Sequence, residues 1–177
     1  MARFRRTHVR NCARRARNSR TPAARGRALE QLVCHAFSTI PGILPPMRNA
    51  IDFAEGGEID IFFANKGTKS GLWFLPISLL TECKNWRGRV GAGEIRIFVD
   101  KLRERGCHAG ILVATNGITG DERSLTAARR HIARALEDKT HILVLTLQEL
   151  ERVKSTAQLV RLLLDKWIRL SSFLTSI

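Results

Sequence analysis

The chain has 177 residues, 44% of them hydrophobic, which is enough for one domain with a single core. No run of 18 apolar residues is present, which excludes a membrane-spanning helix. A formal net charge of +14, from 30 Lys and Arg against 16 Asp and Glu, excludes an acidic protein and points to a polyanionic partner.

That charge is uneven. Ten arginines precede the first acidic residue, Glu30, and setting them aside leaves +4 for the remainder. Residues 1–24 carry almost no apolar periodicity and are expected to form a basic, poorly ordered arm. Such an arm suits nucleic acid, a mitochondrial transit peptide or a solubilising tail equally well, and the arm alone does not choose. Cys12, Cys34, Cys83 and Cys107 form no C-x-x-C pair, and the five histidines show no ligand spacing, so neither a zinc site nor a disulfide framework is expected. A reducing cytoplasm is the simplest setting.

From Arg25 the pattern becomes that of one folded unit, expected over 25–177. Leu29, Leu32, Val33, Ala36, Phe37 and Ile40 recur at helical spacing until Pro41-Gly42. RNAIDFA predicts a first strand, Gly56-Gly57 a turn, and EIDIFFA a second strand. NKGTKSG, from Asn65 to Gly71, has the composition of a hairpin loop. A third strand, bent near Pro76, continues through SLLTECK. Ile95, Phe98, Val99 and Leu102 then predict a helix closed by Gly106, and AGILVAT a buried strand. Leu125, Ala128, Ile132 and Leu136 predict another helix, HILVLTL another buried strand, and QLVRLLLDKWIRL a last amphipathic helix. The order α-β-β-β-α-β-α-β-α predicts an α/β fold, a mixed sheet with helices on both faces.

Chemistry concentrates at TECKNW, Thr81 to Trp86. Strand alternation puts Leu80, Glu82 and Lys84 on one face and Thr81 and Cys83 on the other. Asp60 lies 22 residues before Glu82, on the preceding strand, and a hairpin would bring the two carboxylates together. Two carboxylates suit Mg²⁺, with a lysine beside them to orient water or neutralise charge on a phosphoryl group. Glu58 shares the face of Asp60, and Glu94 is expected to complement the dipole of its helix. Cys34 and Cys107 are expected as small core side chains, as is the helix of Trp167.

Asp60, Glu82 and Lys84 spell D-x₂₁-E-C-K. With GEIDIFF, TECKNW and VGAGEIRIFVDKLRERGCHAGILVATNGIT around it, this resembles the PD-(D/E)XK nuclease superfamily, in its restriction endonuclease-like, Mrr-type branch. The resemblance covers Gly26 to Leu150. It implies a restriction endonuclease-like three-layer αβα sandwich with a central mixed sheet. It also implies a metal held by Asp60, Glu82 and the Cys83 backbone carbonyl, with Lys84 positioning or activating water. Glu30 matches a glutamate that relatives carry on the first helix, touching the metal directly or through water. Ile59 stands where the superfamily pattern has Pro, and Glu82 keeps the carboxylate that some Mrr-type members replace with Gln.

The implied activity is Mg²⁺- or Mn²⁺-dependent DNA endonucleolytic hydrolysis of the restriction or defence type. The alternatives are a structure-selective repair or junction-resolving nuclease, and a non-catalytic nucleic-acid-binding module on the same fold. Asn85, Trp86, Arg87 and Arg89 after the strand, with Arg14, Arg15 and Arg17 in the arm, are the candidate nucleic-acid contacts. Thr115 and Asn116 end the next strand, either lining the same cleft or making a turn. DNA is the expected partner. A homodimer would permit double-strand cleavage, and a separate target-recognition partner would supply specificity.

Overall fold

The computed structural model describes residues 2–51, 58–120 and 127–173, without the side chains of 48–51, 58–60 and 173. Five strands form one sheet in the order β1 (Met47–Ile51), β2 (Glu58–Ala64), β3 (Ser78–Lys84), β4 (Ala109–Ala114), β5 (His141–Thr146). β1, β2 and β3 form an antiparallel meander, whereas β3, β4 and β5 are parallel. Parallel strands need crossovers, and helices supply them: α3 (Ala92–Glu104) between β3 and β4, α4 (Ala127–Glu137) between β4 and β5. β4 is buried along its whole length, as expected for a parallel strand covered on both faces.

The faces are occupied by different helices. Phe98 and Leu102 of α3 lie over Gly110, whose parallel register partner is Leu80, so α3 covers the face of Leu80, Glu82 and Lys84. On the other face, Phe37 of α2 (Pro22–Phe37) stacks on Phe63 with ring centroids 5.2 Å apart. Trp167 of α6 (Thr156–Phe173) stacks on His141 at 4.2 Å. Burial of side chains such as Phe37, Phe63 and Phe98 contributes roughly 1.5–3 kcal/mol each. Cys12 and Cys107 are buried thiols, and Cys34 packs against the core. No described helix is long and apolar enough to cross a membrane.

The structure corrects the expectation of a poorly ordered arm. Arg6–Asn18 form α1, and Val9, Cys12, Ala13 and Ala16 are buried against the rest of the chain. These four stand at i, i+3, i+4 and i+7, a narrow stripe of small side chains outnumbered by arginines, which hides the amphipathic pattern. α1 packs along α2, and the Arg17 guanidinium pairs in bidentate fashion with Glu151 of α5 (Leu147–Arg152). α5 itself lies beyond the sequence expectation. Thr146 and Glu149 close a capping box at its start.

The third strand is also shorter than expected. It begins at Ser78, and the LWF segment before it is a compact turn. The buried Asn65 amide organises that turn by donating to the carbonyls of Leu72 (2.8 Å), Leu75 (2.9 Å) and Pro76 (3.2 Å). Gly56-Gly57 and Leu125 lie outside the described residues.

Gly110 sets the distance between α3 and the sheet. A Cβ there would stand 2.7 Å from both Phe98 Cζ and Leu102 Cδ1, so the two side chains must move. Gly110→Ala is expected to lower stability by about 1–3 kcal/mol, read from the urea midpoint at unchanged slope.

Candidate active site

β3 carries the site because its sequence changes character within one strand. Leu79 to Glu82 are buried and Cys83 and Lys84 half-buried, so the strand leaves the core at its C-terminal end. Glu82 is 4% exposed, which for a carboxylate demands compensation by cations or hydrogen bonds. The antiparallel register that pairs Ile61 with Thr81 runs next to Asp60 on β2 and Glu82 on β3. Asp60 therefore belongs to this end of the sheet by its backbone, and its side chain lies outside the described residues.

Two ammonium groups compensate Glu82. Lys84 Nζ lies 2.9 Å from Glu82 Oε1, and Lys101 Nζ, from α3, donates to Oε2 at 2.9 Å and Oε1 at 3.2 Å. Lys84 also lies 3.2 Å from Glu94 Oε2, in the first turn of α3. Glu94 thus makes an ion pair across the site, beyond the dipole role expected of it. Burial alone would lower the pKa of Lys84, but its hydrogen bonds and charge interactions with Glu82 and then Glu94 outweigh burial and raise it above 10.5. The Lys84 ammonium stands 5.6 Å from the centroid of the Trp86 ring, within cation–π range.

Lys101 is the residue that sequence reasoning missed. It was hidden because α3 reads as an apolar stripe of Ile95, Phe98, Val99 and Leu102. The usable signal is that Glu94, Phe98 and Lys101 stand at i, i+4 and i+7, so one face carries a charge at each end of its apolar centre.

The remaining candidates are dispersed. Glu30 is half-buried on α2, which covers the face of the sheet opposite to the one bearing Glu82. Cys83, between the two charged residues, is half-buried, and its register partner on β4 is Val113. Asn85 is a structural tie, since its amide donates to Ala16 O at 2.9 Å and Arg25 O at 2.8 Å, joining α1 and α2 to the end of β3. Trp86 and Arg87 are exposed, and the Asn116 amide holds their carbonyls at 2.8 and 3.0 Å. Arg89 donates to Gly120 O, Arg15 to Gln31, Arg17 to Glu151, and Arg14 is exposed.

On the Glu82 face at this end of the sheet, the described side-chain donors are the carboxylate oxygens of Glu82 and Glu94, since Cys83 alternates to the other face. Two of them, from Glu82 and Glu94, converge on the single positive charge of Lys84. That chemistry fits a hard divalent cation in kind. Among the described residues there is no group of three His, Cys, Asp or Glu side chains that could hold one.

Lys101→Met removes one of the two cations that compensate Glu82 and is expected to cost roughly 1.5–3 kcal/mol. A double-mutant cycle with Glu82→Gln should recover part of that loss, since the buried charge is then gone. A second expectation concerns alkaline pH. Because the pKa of Lys84 is raised above 10.5 on folding, its contribution is complete below 10.5 and disappears as pH rises through the elevated value. The stability gap between the parent and Lys84→Met should therefore narrow only above pH 10.5, as followed by urea titration.

No curated protein matches the chain. Residues 23–153 match the family model Mrr_cat, described as restriction endonuclease, and this segment runs from α2 through α5 and contains the whole sheet. Proteins of that family generally use divalent metal ions. The mixed sheet between helical layers is the restriction endonuclease-like fold, and the chain belongs to the restriction endonuclease family of PD-(D/E)XK-like nucleases.

Proposed function

We propose that the protein is a metal-dependent DNA endonuclease of the Mrr-like restriction or defence type, acting at the end of β3. The observation that carries this reading is the Glu82–Lys84 pair. A deeply buried carboxylate and a protonated amine are held 2.9 Å apart on one strand, beside an exposed tryptophan and arginine. Asp60 and Glu82, with the Cys83 carbonyl, are the groups that would hold Mg²⁺ or Mn²⁺, and the ion when bound would supply charge neutralisation at the phosphate.

The chain's own residues do the rest. Held in its charged form by Glu82 and Glu94, Lys84 keeps its proton at neutral pH and would act as an ammonium that donates hydrogen bonds to orient the attacking water and offsets charge developing on the phosphoryl oxygens. Lys101 fixes Glu82 so that its carboxylate does not swing with the strand end. Hydrolysis adds water across the P–O3′ bond, the water oxygen bonding to phosphorus while the 3′ oxygen leaves with a proton. The products are a 5′-phosphate and a 3′-hydroxyl. Glu30, on the helix that covers the opposite face, would reach the metal only through water. Specific sequence or base modification would be read by a separate partner, and double-strand cleavage by a second copy of the chain.

A cleavage assay on duplex DNA with added Mg²⁺ or Mn²⁺ tests the reading. Lys84→Ala and Asp60→Ala are expected to lower the rate by about 10²-fold or more while DNA binding is largely retained. Cleavage at the parental rate in Lys84→Ala would remove that lysine from the mechanism. Equal cleavage by parent protein with and without a chelator would remove the metal.

A further inference from the structure

Beside the Glu82 cluster, a cleft of about 720 Å³ opens where β3, β4 and β5 end. Ligands of open α/β sheets bind at such carboxyl ends of strands. Arg17, Arg20, Arg25, Arg87, Trp86 and Thr115 line it, and no carboxylate does. One wall, from Ala16 to Arg20, comes from the end of α1 and the turn after it, which precede the segment matched by the family model. That wall closes a cleft whose other sides belong to the nuclease core.

Its walls are built rather than incidental. The Asn85 amide bolts the end of α1 and the first turn of α2 to β3. Arg17 is fixed by Glu151, and Arg25 donates to the carbonyls of Ser19 and Arg20, which shapes the turn. Arg20 and Arg87 are exposed. Thr115 lines the cleft, and its hydroxyl has no hydrogen-bond partner in the protein. Trp86, 44% exposed, lines the cleft and also faces Lys84, so it joins the cleft to the Glu82 cluster.

Such a concavity has the size of a small-molecule site. A duplex keeps its bases stacked and presents only backbone and groove edges, so none of its bases would meet Trp86 inside the cleft. An unpaired nucleotide presents both a phosphate for the arginines and a π-face for the indole. We propose that the cleft binds an unpaired stretch of the DNA substrate, about one or two nucleotides long, with phosphates on Arg20 and Arg87 and a base stacked on Trp86. The inference rests on the nuclease reading for the identity of the ligand. It makes the enzyme selective for DNA with frayed, extruded or branched strands.

Fluorescence anisotropy with the full chain in chelator tests this without cleavage, using a short labelled single strand, its blunt duplex and an RNA strand of the same sequence. The DNA single strand should bind more tightly than the duplex. Trp86→Ala should weaken strand binding about tenfold or more. Arg20→Ala with Arg87→Ala should weaken it at least as much and make its salt dependence shallower by about 1.4 in the log–log slope. Arg161→Ala on α6, at an exposed arginine outside the cleft lining, should match the parent. Duplex bound as tightly as single strand, or parental affinity in both cleft variants, would overturn the proposal. Tighter binding of the RNA strand would overturn the choice of DNA. Strand preference retained by a protein that cleaves nothing with either Mg²⁺ or Mn²⁺ would support the cleft and sink the nuclease reading instead.

Discussion

A carboxylate buried almost completely at the end of a strand is the constraint around which the rest is arranged. Glu82 at 4% exposure is tolerable only because two ammonium groups stand within 2.9 Å of its oxygens. One comes from its own strand, two residues on, and costs the fold nothing in topology. The other comes from α3, and reaching it requires the crossover to lie on the Glu82 face with Phe98 and Leu102 pressed against Gly110. Gly106, at φ 60°, then ends that helix and turns the chain into β4. Core packing and site electrostatics are thus set by the same helix.

On the opposite side of the sheet the N-terminal helix is anchored by different chemistry. Its buried face is made of Val, Cys and Ala, so it contributes little apolar area per residue. What secures it is a set of polar ties at its far end: Asn85 to Ala16, and Arg17 to Glu151 on α5. α5 is in turn held by Lys166 of α6, 2.8 Å from Glu149. The ends of β3 and β5 are therefore braced through one short helix, and the arginines of α1 are delivered to a defined place.

Much of this was legible in the residues. The strands EIDIFFA and SLLTECK coincide with β2 and β3, and the helix and strand order after them holds apart from the added α5, because apolar periodicity there is strong and Gly or Pro marks several of the ends. Lys84 beside Glu82 follows from strand alternation alone. α1 was illegible because four small buried residues give a weak stripe among arginines, and amphipathicity is read from large side chains first. Lys101 was illegible for another reason. Its role depends on which face of the sheet α3 covers, and no local pattern encodes the pairing of a helix residue with a strand 19 positions earlier. Asn85 likewise reads as a ligand contact after a catalytic strand, yet tertiary packing gives its amide to two backbone carbonyls.

The charge of the molecule can now be assigned to places. In the Glu82 cluster two carboxylates, Glu82 and Glu94, balance two ammonium groups, Lys84 and Lys101, so this cluster contributes no net charge. The excess behind +14 lies mainly in the N-terminal arginines, and α1 turns part of that excess toward the neighbouring cleft. A polyanion approaching the protein is therefore drawn first to the cleft, where Arg20 and Arg87 are exposed and no carboxylate lines the wall, and Trp86 stands between it and the balanced cluster. This separation has a physical advantage. Affinity from arginine–phosphate contacts is insensitive to sequence and acts at long range, whereas a neutral, internally paired cluster keeps its geometry whether or not a strand is near.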